Sequence, residues 1–275
     1  AAVELCSEGQ QPRAISAIMA GGVIAAVIGP SLAVYSQAWW HNQPFIGAFV
    51  GLLALYIIAL ILLLMIRFND TEASSQSTID ARPLREIVSS ANYIVAVVAG
   101  VVSYFVMNLL MTATPLAMHH HGYHFAQSAS VIEWHVLGMF APSFITGRLI
   151  LKMGLFPTML LGLALMFACV VVNLTGTSFI HFAVALTLLG VGWNFMFIGA
   201  TQMLTQSYRL DEKAKAQAVN EFVVFSLVAI SALSAGWLEQ SLGWRVVNVS
   251  ALPILTLGLI CLLFYQRQHK RQLSV

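Results

Sequence analysis

Residues 45–66 read FIGAFVGLLALYIIALILLLMI, an apolar run without a single charge that stops at Arg67. A helix rises about 1.5 Å per residue, so this run reaches across a hydrocarbon core of roughly 30 Å. Seven further runs of similar length surround it: Ala14–Gln37, Asn92–Leu116, Ser128–Gly147, Leu155–Asn173, His181–Leu204, Ala216–Leu238 and Val246–Tyr265. The pattern predicts an all-α polytopic membrane protein with eight transmembrane helices. Composition agrees, with 59% hydrophobic and 9% charged residues. A soluble domain carries about 25% charged residues, which this chain cannot supply.

The basic residues alternate between connections. Arg13, then Arg67, Arg82 and Arg85, then Arg148 and Lys152, then Arg209, Lys213 and Lys215, then Arg267, Lys270 and Arg271 occupy every second one. Only Arg245 falls between them. Short loops rich in Lys and Arg stay in the cytoplasm, so both termini are expected there. The net charge of +2 is spread over loop ends and implies no nucleic-acid partner; the expected partner is the lipid bilayer. Cys6, Cys169 and Cys261 lie far apart and suggest neither a disulfide framework nor a zinc site. Glu4, Glu8 and Arg13 interrupt the start, so no cleavable signal peptide is expected.

Organisation follows from the longest polar stretch, Arg67 to Glu86, where Pro83 discourages a continuing helix. We read 67–88 as a cytoplasmic linker, 1–66 as the end of an N-terminal bundle, 89–266 as a C-terminal six-helix bundle and 267–275 as a tail. Two spans before the linker and six after it imply a six-plus-six parent whose first four helices are missing here. The start on Ala rather than Met fits that expectation.

MAGGVIAAVIGPSLA (Met19–Ala33) resembles the Gly-rich fifth helix of the major facilitator superfamily, with its Gly-Pro pair at Gly29-Pro30. Gly147-Arg148-Leu149 through Lys152 and Gly154 is similar to the second copy of that superfamily's G-x-L-x-D-R-x-G loop. It departs from that loop in two places: Leu151 stands where the acid belongs and Lys152 replaces the Arg. Ser130–Ile150 and Gly190–Leu204 also resemble bacterial members, and the likeness covers nearly the whole chain as helices five to twelve. It implies secondary transport of a small solute by alternating access across the bacterial inner membrane, with protons as one candidate driving ion. It also implies a conformational pivot at Gly21, Gly22, Gly29 and Pro30, for which helix packing is the plainer reading.

Several polar groups stand inside apolar runs. Glu133 lies one to two turns into the fourth, where a charge costs roughly 2.5–3.5 kcal/mol on insertion scales and usually faces a cavity. A proton or solute role competes with a carboxylate snorkelling to nearby water. His135 lies about 200° around the helix from Glu133 and shares a face with Gly138 and Pro142, which favours a packed, hydrogen-bonded ring. Asn108, Trp193 and Asn194 need partners on neighbouring helices or on a solute, because a buried amide without one is costly. Glu221 is expected to reach cytoplasmic water or to pair with Lys215 or Arg148, and Gly147, Arg148, Lys152, Gly154 and Glu221 together form the candidate cytoplasmic gate. His119, His120, His121 and His124 read as solvated histidines of an external loop without a nearby Cys or acid, with a weak metal or pH-sensing site as the alternative. Trp39, Trp40 and Trp237 read as interfacial anchors. The glycosylation-like spacings at Asn173 and Asn248 read as chance. No HExxH and no GxxxxGK[ST] occurs, so neither an enzyme, a cofactor nor a resident metal is expected. A non-transporting fragment or accessory subunit is the alternative.

Overall fold

The computed structural model describes residues 11–37, 39, 45–65, 82–209 and 211–273, with side chains between 21 and 267 of these ranges. Every regular element among them is helical: α1 (Gln11–Gln37), α2 (Ile46–Met65), α3 (Leu84–Val88), α4 (Ala91–His120), α5 (Phe125–Phe140), α6 (Ser143–Met153), α7 (Leu155–Thr175), α8 (Phe179–Thr205), α9 (Lys213–Leu242) and α10 (Trp244–Leu273). Six are long and apolar enough to cross a membrane, and the bent pair α5–α6 makes a seventh when counted as one span. The eighth expected segment is α1, 27 residues long, of which Gly21–Gln37 is an apolar helical stretch. This is an integral, multi-pass membrane protein.

Three boundaries differ from the sequence reading. The fourth apolar run is not one straight helix; it bends by 43° between Phe140 and Ser143. Pro142 has no N–H to give the preceding turn, and its ring crowds that turn's carbonyl. The third run continues past Leu116 to His120, so His119 and His120 are helical and His121 is the C-cap. Finally, Leu84–Val88 within the 67–88 linker forms α3, entered through Pro83 at φ −59°. Proline suits a helix start because an N–H there has no partner to lose. Residues 67–81 of that linker, Trp40, Cys6 and Arg13's side chain lie outside the described residues.

α4 and α8 sit at the centre, with more than half of their spanning windows buried, whereas α2 buries only 6% of its window. The apolar core runs from Ile87 to Leu262 and draws on no described residue of α1 or α2. Small residues let the backbones meet. A Cβ on Gly162 would sit 2.7 Å from the Gly192 carbonyl where α7 crosses α8, and one on Gly138 would sit 2.9 Å from the Thr187 carbonyl where α5 crosses α8. Gly47 and Gly51, the two buried residues of α2, face Ser36 of α1. Without a hydrophobic force between helices in lipid, such close van der Waals approach is what holds spans together.

Candidate solute cavity and its flanking gates

The α4 positions Ala96, Gly100 and Tyr104 recur every fourth residue, so they share one helix face. Gly100 and Ala96 are small, and between them and α9 opens a cavity of about 70 Å³. Its walls are Tyr104 from α4, Phe197 and Thr201 from α8, and Asn220, Glu221 and Phe225 from α9. Tyr104 is the hub. Its ring meets Trp193 edge-on at 5.1 Å, Phe197 edge-on at 5.3 Å and Phe225 at 5.9 Å with a 58° tilt. Trp193 and Phe197, one turn apart on α8, stack at 4.8 Å with planes 9° apart. Three helices thus contribute one continuous π surface, with Asn220 and the exposed Glu221 as its polar end.

The sequence candidates divide around this cavity. Trp193 is buried behind Phe197 and supports the aromatic wall rather than lining it. Asn108, one turn beyond Tyr104, donates to Ser231 Oγ at 3.2 Å and to the Val228 carbonyl at 3.3 Å, so it ties α4 to α9. Asn194 donates to the Met139 carbonyl at 2.7 Å and to Ser143 Oγ at 2.6 Å, and accepts from Thr146 Oγ1 at 2.6 Å. It therefore satisfies the polar groups opened at the α5–α6 bend. Both amides are spent between helices.

Glu133 is half-buried and lines a separate groove of about 340 Å³ against Pro30, Ser31 and Tyr35 of α1. His135 points elsewhere, fully buried, with Nδ1 2.8 Å from the Leu186 carbonyl, as the 200° offset predicts. Of the α1 glycines, a Cβ on Gly22 would strike the Phe140 ring at 2.7 Å, while Gly21 and Gly29 face open space. Gly147, Arg148 and Lys152 are exposed on α6. Gly154 joins α6 to α7 at φ +94°, a backbone region that favours glycine. Neither Arg148 nor Lys215 forms an ion pair with Glu221 among the described residues. Asn173 and Asn248 are buried and bonded to each other at 2.8 Å, which removes both as glycosylation acceptors.

Two charged pairs escaped the sequence reading. Arg82 donates to Glu212 from its backbone N–H at 3.2 Å, from Nε at 2.8 Å and from Nη2 at 2.7 Å, and Glu212 also accepts the Arg209 N–H at 2.9 Å. The Arg82 guanidinium holds the Glu212 carboxyl down to about 2 and is itself raised by that bond. This clamp fastens the start of α3 to the α8–α9 connection. At the opposite end, Glu239 of α9 lies 3.2 Å from His120 Nδ1, so the histidine cluster does have an acid beside it. Both acids are more than a hundred residues from their partners, so no local spacing announces them.

A profile of the Major Facilitator Superfamily matches residues 1–172 and 96–274. The chain is 40% identical over 264 residues to the riboflavin transporter RfnT of Brucella anthropi, covering 96% of this chain and 66% of that protein. It is 31% identical over 273 residues to the uncharacterised transporter YdeG of Bacillus subtilis, covering 94% and 62%. The uncharacterised transporter YddS of the same organism is 26% identical over 286 residues, covering 98% and 65%. The chain thus spans just under two thirds of the length of these relatives.

Proposed function

The chain belongs to the major facilitator superfamily, and from that premise we propose that it carries the solute-binding half of a secondary transporter for a planar, conjugated solute of the flavin kind. The aromatic hub around Tyr104 carries this reading. Its rings lie edge-on and tilted toward one another around about 70 Å³ of space, below the roughly 300–1,000 Å³ usual for small-molecule sites, so seating a tricyclic solute requires α4 and α9 to part further. A tricyclic ring system gains about 0.5–1.5 kcal/mol per aromatic partner beyond the area it buries. Asn220 and Glu221 stand at the polar end of the cavity, suited to the hydroxyl or amide groups of such a solute. The riboflavin relative, similar over nearly the whole chain, supports the same solute class.

In this reading the basic loops lie in the cytoplasm of a bacterial inner membrane, and α1–α2 are the end of an N-terminal bundle. The bundles rock around a site between them, exposing it to each side in turn. Glu133 sits in the groove between α1 and α5, where a carboxylate can take a proton as the helices shift. Binding tests the solute class. Titration of the detergent-solubilised chain with riboflavin, read by flavin fluorescence quenching, is expected to saturate, and Tyr104→Ala or Phe225→Ala to weaken it about tenfold. Equal binding of a non-planar sugar of similar mass, or unchanged affinity in both variants, would overturn the flavin-like assignment.

A further inference from the structure

α4 and α9 run side by side in the same direction, and their contacts climb in register. Tyr93 Oη donates to the Ala216 carbonyl at 2.8 Å, Asn108 reaches Ser231, and Leu116 meets Gly236. The last rung is His120 against Glu239. The aromatic cavity interrupts this seam between Gly100 and Tyr104 on one side and Asn220 and Phe225 on the other. Whatever grips the two helices beyond the cavity therefore governs how far the seam opens above it.

Glu239 is only 3% exposed, yet its Oε2 has no hydrogen-bond partner and its Oε1 has one, the imidazole of His120. A buried carboxylate is tolerable when a cation faces it and costly when the cation is removed. His120 is half exposed and can exchange its proton with water at the end away from the basic loops. Its neighbours offer no substitute cation. His121 of α4 acts on the carboxylate only through space and spends its Nδ1 on the Ala117 carbonyl at 2.7 Å. His119 turns toward His120, with ring centroids 6.4 Å apart. From α10, Arg245 lines the adjacent cavity beside His121 and makes no ion pair with Glu239.

We propose that His120 and Glu239 form a proton-loaded latch that clamps the outer ends of α4 and α9 above the aromatic cavity. The proton comes from external water, sits on the imidazole and returns to that water; no other group is consumed. With the ring protonated, the two charges cancel and the last turn of α9 is held. With the ring neutral, the N–H can still donate, but the carboxylate is left as an uncompensated charge in a low-dielectric seam. The clamp is therefore present at the lower pH, where the ring carries its proton, and is lost as pH rises. This goes beyond the transport reading and does not depend on which solute is carried.

Hydrogen exchange of the purified chain in detergent, corrected for intrinsic rates, tests it at pH 6.0 and pH 8.0. The segment from Trp237 to Leu242 is expected to exchange about tenfold faster at the higher pH. Glu239→Gln removes the buried charge and should abolish that difference. His120→Lys supplies a permanent cation and should keep exchange slow at both values, which also covers the case in which Glu239→Gln fails to fold. His121→Gln should retain the wild-type response. A wild-type segment indifferent to pH, a response that survives in both latch variants, or its loss in His121→Gln would each overturn the latch.

Discussion

Asn194 shows what a single amide decides. The sequence marks it as a polar group deep in an apolar run, which demands a partner without naming one. In the fold its three bonds at 2.6–2.7 Å go to Met139, Ser143 and Thr146 on either side of the α5–α6 bend. Asn194→Leu leaves those groups unpaired and is expected to cost about 1–3 kcal/mol, read as a lowered thermal midpoint in detergent. An unchanged midpoint would mean that Pro142 holds the bend alone. Glu212 gives a residue-scale prediction in pH. Its carboxyl is held down to about 2, against about 4.3 for an unfolded Glu. A depressed carboxyl stabilises above its unfolded value and loses that stabilisation as pH falls through its folded one. The Arg82–Glu212 clamp is therefore expected to hold α3 at neutral pH and to release it between about pH 4 and pH 2. Trypsin cleavage after Arg85, measured at pH 7.5, should be faster in Glu212→Gln than in the wild type; equal rates would show that the clamp does not anchor α3.

At the scale of elements, the apolar runs and the observed helices coincide because hydrocarbon allows little else: every backbone N–H and C=O must be paired within its own segment. The glycines on those helices are not equivalent. Gly162 faces the Gly192 carbonyl, so Gly162→Val forces α7 away from α8 and is expected to cost about 1–3 kcal/mol of overpacking strain. Gly29 faces open space, and Gly29→Ala should be neutral or stabilising by up to about 1 kcal/mol through helix propensity. Thermal unfolding of both variants in one detergent makes the comparison. A destabilised Gly29→Ala would point to a pivot there that needs glycine. The sequence singled out the α1 glycines for their density, yet Gly21 and Gly29 face open space, whereas Gly47 of α2, Gly138 of α5, Gly162 of α7 and Gly190 of α8 each meet the backbone of a neighbouring helix.

At the scale of the whole molecule, alternation of basic loops and apolar spans predicts which surface faces the cytoplasm. Lys152→Cys and Thr177→Cys are both exposed positions at opposite ends of α7. In intact cells a membrane-impermeant thiol reagent is expected to label Thr177→Cys and to reach Lys152→Cys only after permeabilisation. The reverse pattern would invert the orientation and place the cavity mouth at Glu221 outside. For coupling, Glu133→Gln is expected to abolish the response of solute flux to a pH gradient in vesicles carrying the protein. Undiminished gradient-driven flux would remove Glu133 from that role and leave His120–Glu239 as the remaining proton site. Membrane class and the all-helical fold were legible in the sequence, because both are written in the length of uncharged runs and in where Lys and Arg are allowed; of the eight spans expected, six pass the test of length and apolarity, or seven with the bent pair. The partners of Asn108, Asn194, Glu212 and Glu239 were not legible, because each lies 48 to 130 positions away along the chain and is brought near only by helix packing. The cavity around Tyr104 belongs to that second kind too: its rings come from three helices whose apolar sequences say nothing about which faces will meet.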